Sequence, residues 1–509
     1  MPHLFIVLDR FPAVRPRLAA AGLLAAAAAL SGCSDIGALR AARVATGFAS
    51  HHICSDVYIS GMTPEDARAQ RISPQPGVRW LDPWMHIDVD AAQQEVRASL
   101  AGGLAQRAGF TPGLGCRLLD EGDAVPVAAT LPPAGPAVMP DIAGTAPVPA
   151  ATPALQAALA LAFDDSDGPH AHQTKAVVVL RDGRVIAERY APGTGPETPW
   201  LGFSMSKSLT QALLGVLVQQ GRLSATQPAA LPGWAGDARR EITVEHLLRQ
   251  TSGLALWQDN SGFDVNSRML YIERDMAAFA ARQPAAAPPG QGWHYADGHF
   301  ILLSSVLRNA VSPADASGAA KADAVRAFAQ RELFGPLGMR HMTMEFDGAG
   351  TPMGASFSFG SARDWARLGQ LYLDDGVVGG RRLLPEGWVA MARTPTLATG
   401  YGAGWWTNAL GDRLVPEWQV PYGFANAPKD AFFARGFMGQ FTLVIPSERL
   451  VIVRMGISHW RGDDIVHVDR MVGAVRAALG LGQGAATRAA ASAAASVTTR
   501  AAATARAPG

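Results

Sequence analysis

Apolar runs near both ends of the central part of the chain have the length and spacing of β-strands. Two such runs in residues 175–190 flank Asp182-Gly183, a dipeptide typical of tight β-hairpins. Two more, in residues 431–456, flank a Pro-Ser-Glu-Arg turn, and a helical pattern follows at 463–480. Residues 204–390 are mostly helical in pattern. This order predicts an α+β fold: one antiparallel sheet built from both ends of the main domain and flanked by helices, with a mostly helical insertion.

The segments outside this main domain have weaker patterns. Residues 56–60 and 85–90 are expected to be strands, and residues 91–107 are expected to include a helix. Residues 124–153 are rich in Pro and Ala and lack periodicity, which favours a semi-extended linker or a strap along the surface. The predicted organisation is a signal peptide at 1–32, a small N-terminal region at 33–123, the linker at 124–153, the main domain at 154–482 and a disordered Ala-rich tail at 483–509.

The N-terminus has the features of an export signal. Arginines precede the apolar run LAAAGLLAAAAAL at 18–30, which is too short to span a bilayer because a spanning helix needs about 20 residues. The run leads into LSGC at 30–33, which resembles the lipobox of bacterial lipoproteins. That resemblance implies a lipid on Cys33 and a location in the periplasm. Because Ser34 follows the cysteine, it also implies anchoring to the outer membrane. Export without a lipid is the alternative.

The composition indicates what kind of partner the protein binds and whether its cysteines are oxidised. The sequence has 44 basic and 43 acidic residues with no basic patch or acidic tail, so a small or neutral partner is expected rather than nucleic acid. If Cys33 carries lipid, Cys54 and Cys116 remain as a pair that an oxidising compartment would join by a disulfide. Two buried free thiols are the alternative.

Ser204 and Lys207 form the first candidate for chemistry. Apolar periodicity from 204 to 220 places Ser204 at a helix N-terminus, with Lys207 one turn further along the same face. A neutral, desolvated lysine can take the proton of a serine hydroxyl, and the helix N-terminus favours the negative charge that develops. The alternative is a plain N-cap serine with a solvated lysine. Of the four lysines in the chain, Lys207 alone has Ser three positions before it.

Four further segments stand in order after this pair. Together with it they resemble the serine β-lactamase and penicillin-binding-protein-like hydrolases, in the class C-type branch that includes esterases, DD-peptidases and 6-aminohexanoate-dimer hydrolases. YGAGWW at 401–406 and DAFFARGFMGQ at 430–440 look closest to the last group. The resemblance covers about 170–480. The four segments are EITVEHLLRQTSGL (241–254), PPGQGWHYADGHFILLSSVL (288–307), LFGPLGM (333–339) and SARDWARLGQLYLDDG (361–376).

The resemblance implies a role for each matching residue. Ser204 matches the nucleophile and Lys207 the base. Tyr295 matches the tyrosine that moves protons between nucleophile, lysine and leaving group; a phenol beside a lysine can have a lowered pKa and act as acid and then base. Asp297 stands where relatives often have Asn or Ser. A hydrogen bond from Lys207 to Asp297 would hold the lysine charged and oppose its role as base.

The third box of the family differs in this chain. Relatives often have Lys-Thr-Gly or His-x-Gly on the strand that lines the site, whereas this chain has Phe437-Met438-Gly439. Gly439 is expected to let substrate approach the backbone, and the amides of Gln440 and Ser204 are expected to hold the oxyanion. Strand alternation would place Arg435 on the same face as Phe437 and Gly439. An apolar box lacks the usual partner of a substrate carboxylate, which favours esters or linear amides over β-lactams.

Other aromatic residues and histidines give weaker signals. Trp405 and Trp406 are expected either to line a hydrophobic substrate cleft or to belong to the core. His246 is predicted to pack in a helix beside the Thr-Ser-Gly turn rather than to form a Ser-His-Asp triad. The histidines at 51–52 and at 170 and 172 lack a second ligand cluster, so they are interpreted as surface residues. No metal site and no cofactor are predicted.

Together, these expectations predict a lipid-anchored serine hydrolase that acts through an acyl-enzyme on a small ester or linear amide. A DD-peptidase or β-lactamase is the first alternative, and a non-catalytic lipoprotein that keeps the fold is the second. The set of Ser204, Lys207 and Tyr295 favours an enzyme, because a pure binding protein has no need of a buried lysine.

Overall fold

The computed structural model describes residues 37–100, 103–131, 135–165, 172–415, 419–459 and 463–482. The expected signal peptide, Cys33, His170 and the tail at 483–509 lie outside these ranges. Within them, no helix combines the length and the apolar character needed to cross a bilayer.

The helices of the described ranges are α1 (Gly37–Tyr58), α2 (Pro64–Ala67), α3 (Pro153–Leu161), α4 (Met205–Gln219), α5 (Val244–Leu248), α6 (Val265–Tyr271), α7 (Met276–Ala281), α8 (Asp297–Val311), α9 (Gly318–Ala329), α10 (Gly335–Leu337), α11 (Ala362–Leu373), α12 (Trp388–Arg393) and α13 (Asp463–Ala478). Short 3₁₀ or π segments cover Arg68–Ile72, Asp82–Trp84, Ala238–Glu241, Gln330–Phe334 and Pro446–Glu448.

The strands are β1 (Met85–Asp90), β2 (Glu95–Leu100), β3 (Leu104–Thr111), β4 (Gly115–Leu119), β5 (Thr174–Arg181), β6 (Arg184–Tyr190), β7 (Trp200–Leu201), β8 (Thr343–Met344), β9 (Ser358–Gly360), β10 (Val377–Val378), β11 (Arg381–Arg382), β12 (Trp406–Thr407), β13 (Leu414–Val415), β14 (Val420–Pro421), β15 (Phe432–Gly436), β16 (Gln440–Ile445) and β17 (Leu450–Gly456).

The main sheet joins the two ends of the main domain. Its strand order is β12-β15-β16-β17-β5-β6, and every neighbouring pair is antiparallel. Helices α3 and α13 cover one face, and α4 and α11 lie against the other. Because both faces are covered, β16 and β17 are buried at every position, and their sequences are apolar except for Gln440, Thr442 and Arg454. The predicted α+β class is confirmed.

The N-terminal region packs α1 against a second antiparallel sheet of order β1-β2-β3-β4. The prediction of a helix within 91–107 is wrong, because Val96, Ala98 and Leu100 alternate with more exposed residues and form strand β2. The prediction of a strand at 56–60 is also wrong, since the long helix α1 continues to Tyr58. A disulfide joins Cys54 of α1 to Cys116 of β4.

The Pro- and Ala-rich segment lies along the main domain. Its described residues, 124–131 and 135–152, form neither helix nor strand. The amides of Val138 and Met139 both donate to the carbonyl of Pro336, at 2.8 and 2.9 Å. Met139 and Ile142 are buried in the main core, so this segment is attached as a strap at those positions.

Candidate active site

Ser204 stands directly before α4, and its hydroxyl does not cap that helix. The residue has helical backbone angles and makes no side-chain capping bond. Phe203 before it has a φ of +45°, a left-handed conformation that is rare for a bulky residue. The hydroxyl of Ser204 instead accepts a hydrogen bond from Lys207 Nζ at 3.0 Å. The geometry therefore disagrees with the plain N-cap interpretation.

Lys207 is buried, with only 1% of its surface exposed, and each of its three N–H donors has an acceptor. Besides Ser204, Nζ donates to Asp297 Oδ1 at 2.5 Å and to the carbonyl of Ala355 at 2.9 Å. A full set of three acceptors, one of them a carboxylate, favours the ammonium form in the resting site. The solvated lysine considered from the sequence is not what the structure shows.

Asp297 begins α8 and lies inside a hydrogen-bond network of its own. Its Oδ2 accepts from Ser356 Oγ at 3.0 Å and from Asn266 Nδ2 at 3.4 Å. Its backbone amide donates to Gln258 Oε1 at 2.7 Å. These contacts hold the carboxylate against Lys207, 2.5 Å from Nζ. The predicted contact with Lys207 is present.

Tyr295 completes a three-residue cluster. Its ring centroid lies 4.9 Å from Lys207 Nζ, and its hydroxyl shares a hydrogen bond with Ser204. Burial, reinforced by the negative charge of Asp297, raises the pKa of Tyr295 well above its ordinary value, and the bond with Ser204 opposes this shift only in part. The direction is opposite to the lowered pKa expected from the sequence. The phenol therefore remains protonated and is suited to donate a proton.

The register of β15 decides which amide faces the site. On the β12 side the Asn408 amide donates to the carbonyl of Ala431. Backbone groups of successive strand residues point to opposite neighbours, so residues 432, 434 and 436 bond to β16. Gly436 lies opposite Gln440 there. In this register the Gln440 amide belongs to the hydrogen-bonded ladder between β15 and β16. It therefore does not face the site, contrary to the expectation from the sequence. Because the peptide is trans, the Phe437 amide points the other way, to the β12 side of β15, beyond the two residues that pair with β12.

The third box forms a turn and not a strand. Phe437, Met438 and Gly439 connect β15 to β16, so strand alternation does not relate Arg435 to this box. A side-chain carbon at Gly439 would lie 2.3 Å from Arg454 Nη1, so the space beside this glycine holds a buried arginine rather than substrate. Phe437 is half exposed and packs edge-to-face on Phe203, with ring centroids 5.5 Å apart.

Comparison with known proteins agrees with this geometry. Residues 162–456 match the family model described as Beta-lactamase. The chain belongs to the β-lactamase family. A 6-aminohexanoate-dimer hydrolase of Paenarthrobacter ureafaciens is 26% identical to this family member over 230 residues, which are 42% of this chain and 56% of that protein. The chain thus spans a little over half the length of this curated relative.

Solved structures of other proteins are similar to this β-lactamase family member. A putative 6-aminohexanoate-dimer hydrolase from Bacillus anthracis superposes with a TM-score of 0.50 at 18% identity, over 61% of this chain and 81% of that one. A penicillin-binding protein homolog from Caulobacter crescentus gives a TM-score of 0.48 at 18% identity, over 67% of this chain and 100% of that one. At 18% identity, the similarity to the Bacillus anthracis protein shows a shared fold and nothing further.

The two tryptophans that the sequence left undecided have different places in this β-lactamase family member. Trp405 is fully buried in the main core, 4.3 Å from the ring of Tyr372. Trp406 points to the other side, with its ring centroid 5.6 Å from that of Tyr295. Both are therefore core residues: Trp405 belongs to the main core, and Trp406, 3% exposed, belongs to the core on the other face of the sheet, where it also lies beside Tyr295.

The structure agrees with the prediction for His246 and disagrees with the prediction for the other described histidines considered above. His246 lies in α5 and forms a capping box with Thr243, and its carbonyl accepts from the Thr251 amide, as the predicted packing requires. His51 and His52 are fully buried and His172 is nearly so; the surface interpretation of all three is wrong. The burial of His51 and His52 depends on α1 docking against the main domain, which no local pattern reveals, whereas His172 is buried by stacking on His467 of α13, with ring centroids 3.6 Å apart. Among the described residues, no group of three or more metal-ligating side chains occurs.

Several residues around the site escaped the sequence-based prediction. The carbonyl of Ala355 and the side chains of Ser356 and Asn266 surround Lys207 and Asp297. A backbone carbonyl leaves no residue signature, and single Ser and Asn residues are too common to single out. Their use becomes visible only in the folded structure, where the loop 353–357 and α6 both reach Lys207 and Asp297.

Proposed function

We propose that this chain is a serine hydrolase that forms an acyl-enzyme at Ser204 and acts on an ester or a linear amide. The observation that supports it most is the 3.0 Å contact of Lys207 Nζ with the Ser204 hydroxyl, inside a site where the lysine is removed from water. A hydroxyl becomes a strong nucleophile only when a neighbouring base takes its proton. Lys207 is the basic side chain in contact with it.

The proton balance of the first step assigns a role to Asp297. In the resting site Lys207 is an ammonium and has no lone pair for the Ser204 proton. Its nearest acceptor is Asp297 Oδ1, at 2.5 Å. Transfer of one proton from Nζ to this carboxylate leaves a neutral amine, which then takes the Ser204 proton as Oγ attacks the carbonyl carbon. No proton leaves the cluster in this step.

The groups around Ser204 supply the remaining chemistry. The Phe437 amide, on the β12 side of β15, and the Ser204 amide are the proposed oxyanion donor pair. Gly436 brings the end of β15 against the segment before the nucleophile, since a side-chain carbon there would lie 2.1 Å from the Gly202 carbonyl oxygen. Tyr295, kept protonated by its raised pKa, donates a proton to the leaving group and regains one from the Lys207 ammonium. The neutral amine of Lys207 then takes a proton from the water that attacks the acyl carbonyl and passes it to Ser204 Oγ as the acid product leaves. Return of the proton from Asp297 to Lys207 restores the resting site.

The substrate class follows from the walls of the site. The turn Phe437-Met438-Gly439 carries no charge, and Arg435 near it already donates to the Pro421 carbonyl at 3.1 Å and lies 3.8 Å from Asp464. Neither provides a free cation for a substrate carboxylate. The similarity to a 6-aminohexanoate-dimer hydrolase points to a linear amide, and the apolar rim is equally suited to an ester.

The substrate test compares purified protein on a short aliphatic p-nitrophenyl ester, a linear aliphatic amide and a penicillin. We expect turnover of the ester or the amide, loss of that turnover in Ser204→Ala, and no acylation by penicillin at low concentration. Penicillin acylation of Ser204 would favour the DD-peptidase or β-lactamase alternative. Absence of any turnover or adduct would favour a non-catalytic protein.

The proposed location is the periplasmic side of the outer membrane, through a lipid on Cys33. The export signal and lipobox support it, and the disulfide between Cys54 and Cys116 agrees with an oxidising compartment. Cys33→Ala should move the protein from the membrane fraction to the soluble fraction of cells. Retention in the membrane fraction would contradict a lipid anchor at this residue.

A further inference from the structure

We propose that Arg71, in the N-terminal region, is a positioning residue for the Ser204 site, so that the N-terminal region forms part of the catalytic unit. Within the N-terminal region, the described residues from 37 to 119 pack as α1 on the sheet β1–β4. This inference rests on the hydrolase function proposed above. Two sets of contacts support it, one on each side of the catalytic pair.

The first set begins at Arg71, which is 2% exposed. Its Nε and Nη2 bind the two carboxylate oxygens of Asp56, at 2.7 and 2.9 Å. This bidentate pair fixes the plane of the guanidinium. Its Nη1 then lies 3.3 Å from the sulfur of Met438, and its central carbon lies 5.3 Å from the ring centroid of Phe203. Arg71 thus contacts both the turn after β15 and the residue before the nucleophile.

Phe203 needs such support because its backbone is strained. A non-glycine residue at a φ of +45° is held there only when its surroundings determine it. Its ring is packed by Phe437 from the turn, by Arg71, and by His52 of α1 at 5.8 Å. Two of these three partners come from the N-terminal region. A shift of Phe203 would move Ser204, the next residue.

The second set of contacts passes through Glu345, which is fully buried. Its Oε1 accepts from Ser55 Oγ and from the Cys116 amide, both at 2.7 Å. Its carbonyl accepts from the Met353 amide at 2.8 Å, and its amide donates to the Phe357 carbonyl at 3.0 Å. The N-terminal region therefore fastens both ends of the loop 353–357.

That loop holds the other side of the catalytic pair. The Ala355 carbonyl accepts from Lys207 Nζ, and Ser356 Oγ donates to Asp297. The N-terminal region consequently supports Ser204 through Arg71 and supports Lys207 and Asp297 through Glu345. Removing Arg71 alone should misplace the nucleophile and the turn while leaving the lysine network attached. A displacement of about 1 Å at a reacting group can cost on the order of a hundredfold in rate.

The experiment compares Arg71→Met with Arg68→Met in the full-length protein. Arg68 is a matched control because it lies in the same π segment and also binds an aspartate, Asp82 at 3.0 Å, without touching the main-domain residues named above. The kinetics of ester hydrolysis give kcat and KM. Intact mass after labelling by a fluorophosphonate gives both the labelling rate and the final number of adducts per chain.

For Arg71→Met we expect kcat and the labelling rate to fall about tenfold or more, with KM little changed and labelling still reaching one adduct per chain. Full labelling at completion separates slow chemistry from an unfolded fraction. Arg68→Met should keep both rates within about twofold. Arg71→Lys, which retains a cation opposite Asp56, should recover part of the loss.

Wild-type rates in Arg71→Met would overturn the proposal, as would an equal loss in Arg68→Met. If Arg71→Met does not fold, Asp56→Asn decides, because it loosens the guanidinium without removing it. A lower labelling rate at full stoichiometry in Asp56→Asn supports positioning, and an unchanged rate refutes it. Failure of the wild-type protein to label would instead refute the hydrolase function itself.

Discussion

Replacing Asp297 with Asn tests the ion pair at the centre of the site. The substitution keeps the size of the side chain and removes a charge that lies 2.5 Å from Lys207 Nζ. The direct attraction at that distance is about 7 kcal/mol at an effective dielectric constant of about 20. Desolvation of the two buried ions offsets several kcal/mol of it. We therefore expect the free energy of unfolding at neutral pH to fall by about 3 kcal/mol.

The same substitution should slow acylation. In the scheme proposed above, the Asp297 carboxylate takes the proton that frees the amine of Lys207, and the amide of Asp297→Asn cannot take it. General base catalysis of this kind contributes on the order of a hundredfold or more in rate. We expect the labelling rate of Ser204 at neutral pH to fall by roughly a hundredfold.

The assay is the fluorophosphonate labelling rate across the neutral and alkaline range, combined with urea denaturation of each variant. Ser356→Ala is the control, because it removes a 3.0 Å hydrogen bond to the same carboxylate without changing the charge. Its labelling rate should stay close to that of the parent protein. An Asp297→Asn variant with the wild-type labelling rate and wild-type stability would refute both the ion pair and the proton-accepting role of Asp297.

Three further predictions concern the surroundings of the site. Trp405→Phe should lower the melting temperature with little effect on KM, whereas Trp406→Phe should raise KM, because only Trp406 lies beside Tyr295; equal effects of the two on KM would contradict this. Reduction of the disulfide, which closes a separation of 62 residues, should lower the free energy of unfolding by about 4 kcal/mol in urea denaturation, and an unchanged midpoint would refute it. Burial raises the pKa of Asp347 to about 7, so in the acidic range the folded protein holds a proton that the unfolded chain releases. The free energy of unfolding should therefore fall as the pH rises through the acidic range to about 7. Asp347→Asn should flatten this pH dependence in denaturation curves, and an unchanged dependence would contradict the argument.

Local pattern was sufficient for the elements that carry the reaction. The local apolar pattern predicts three elements that the structure contains: the helix after Ser204, the hairpin at 175–190 and the strands at 440–456. Family resemblance then linked Ser204, Lys207 and Tyr295, which the fold brings into one cluster.

The remaining features depend on contacts between distant parts of the chain. His51 and His52 are buried by the docking of α1 near Tyr271 and Phe357, more than 200 residues away in sequence. The sequence predicts the Gln440 amide in the cleft only if the strand continues past Gly436. The structure has a turn there, and a change of register reverses which amides face outward. The raised pKa of Tyr295 likewise follows from burial, which the sequence of its own segment does not reveal.

The most direct test of the hydrolase mechanism is intact-mass analysis of the purified protein after reaction with a fluorophosphonate, beside Ser204→Ala. The account predicts one adduct per chain on the parent protein, located on Ser204, and none on the variant. A folded parent protein without an adduct, or an equal adduct on Ser204→Ala, would contradict an activated serine at this site.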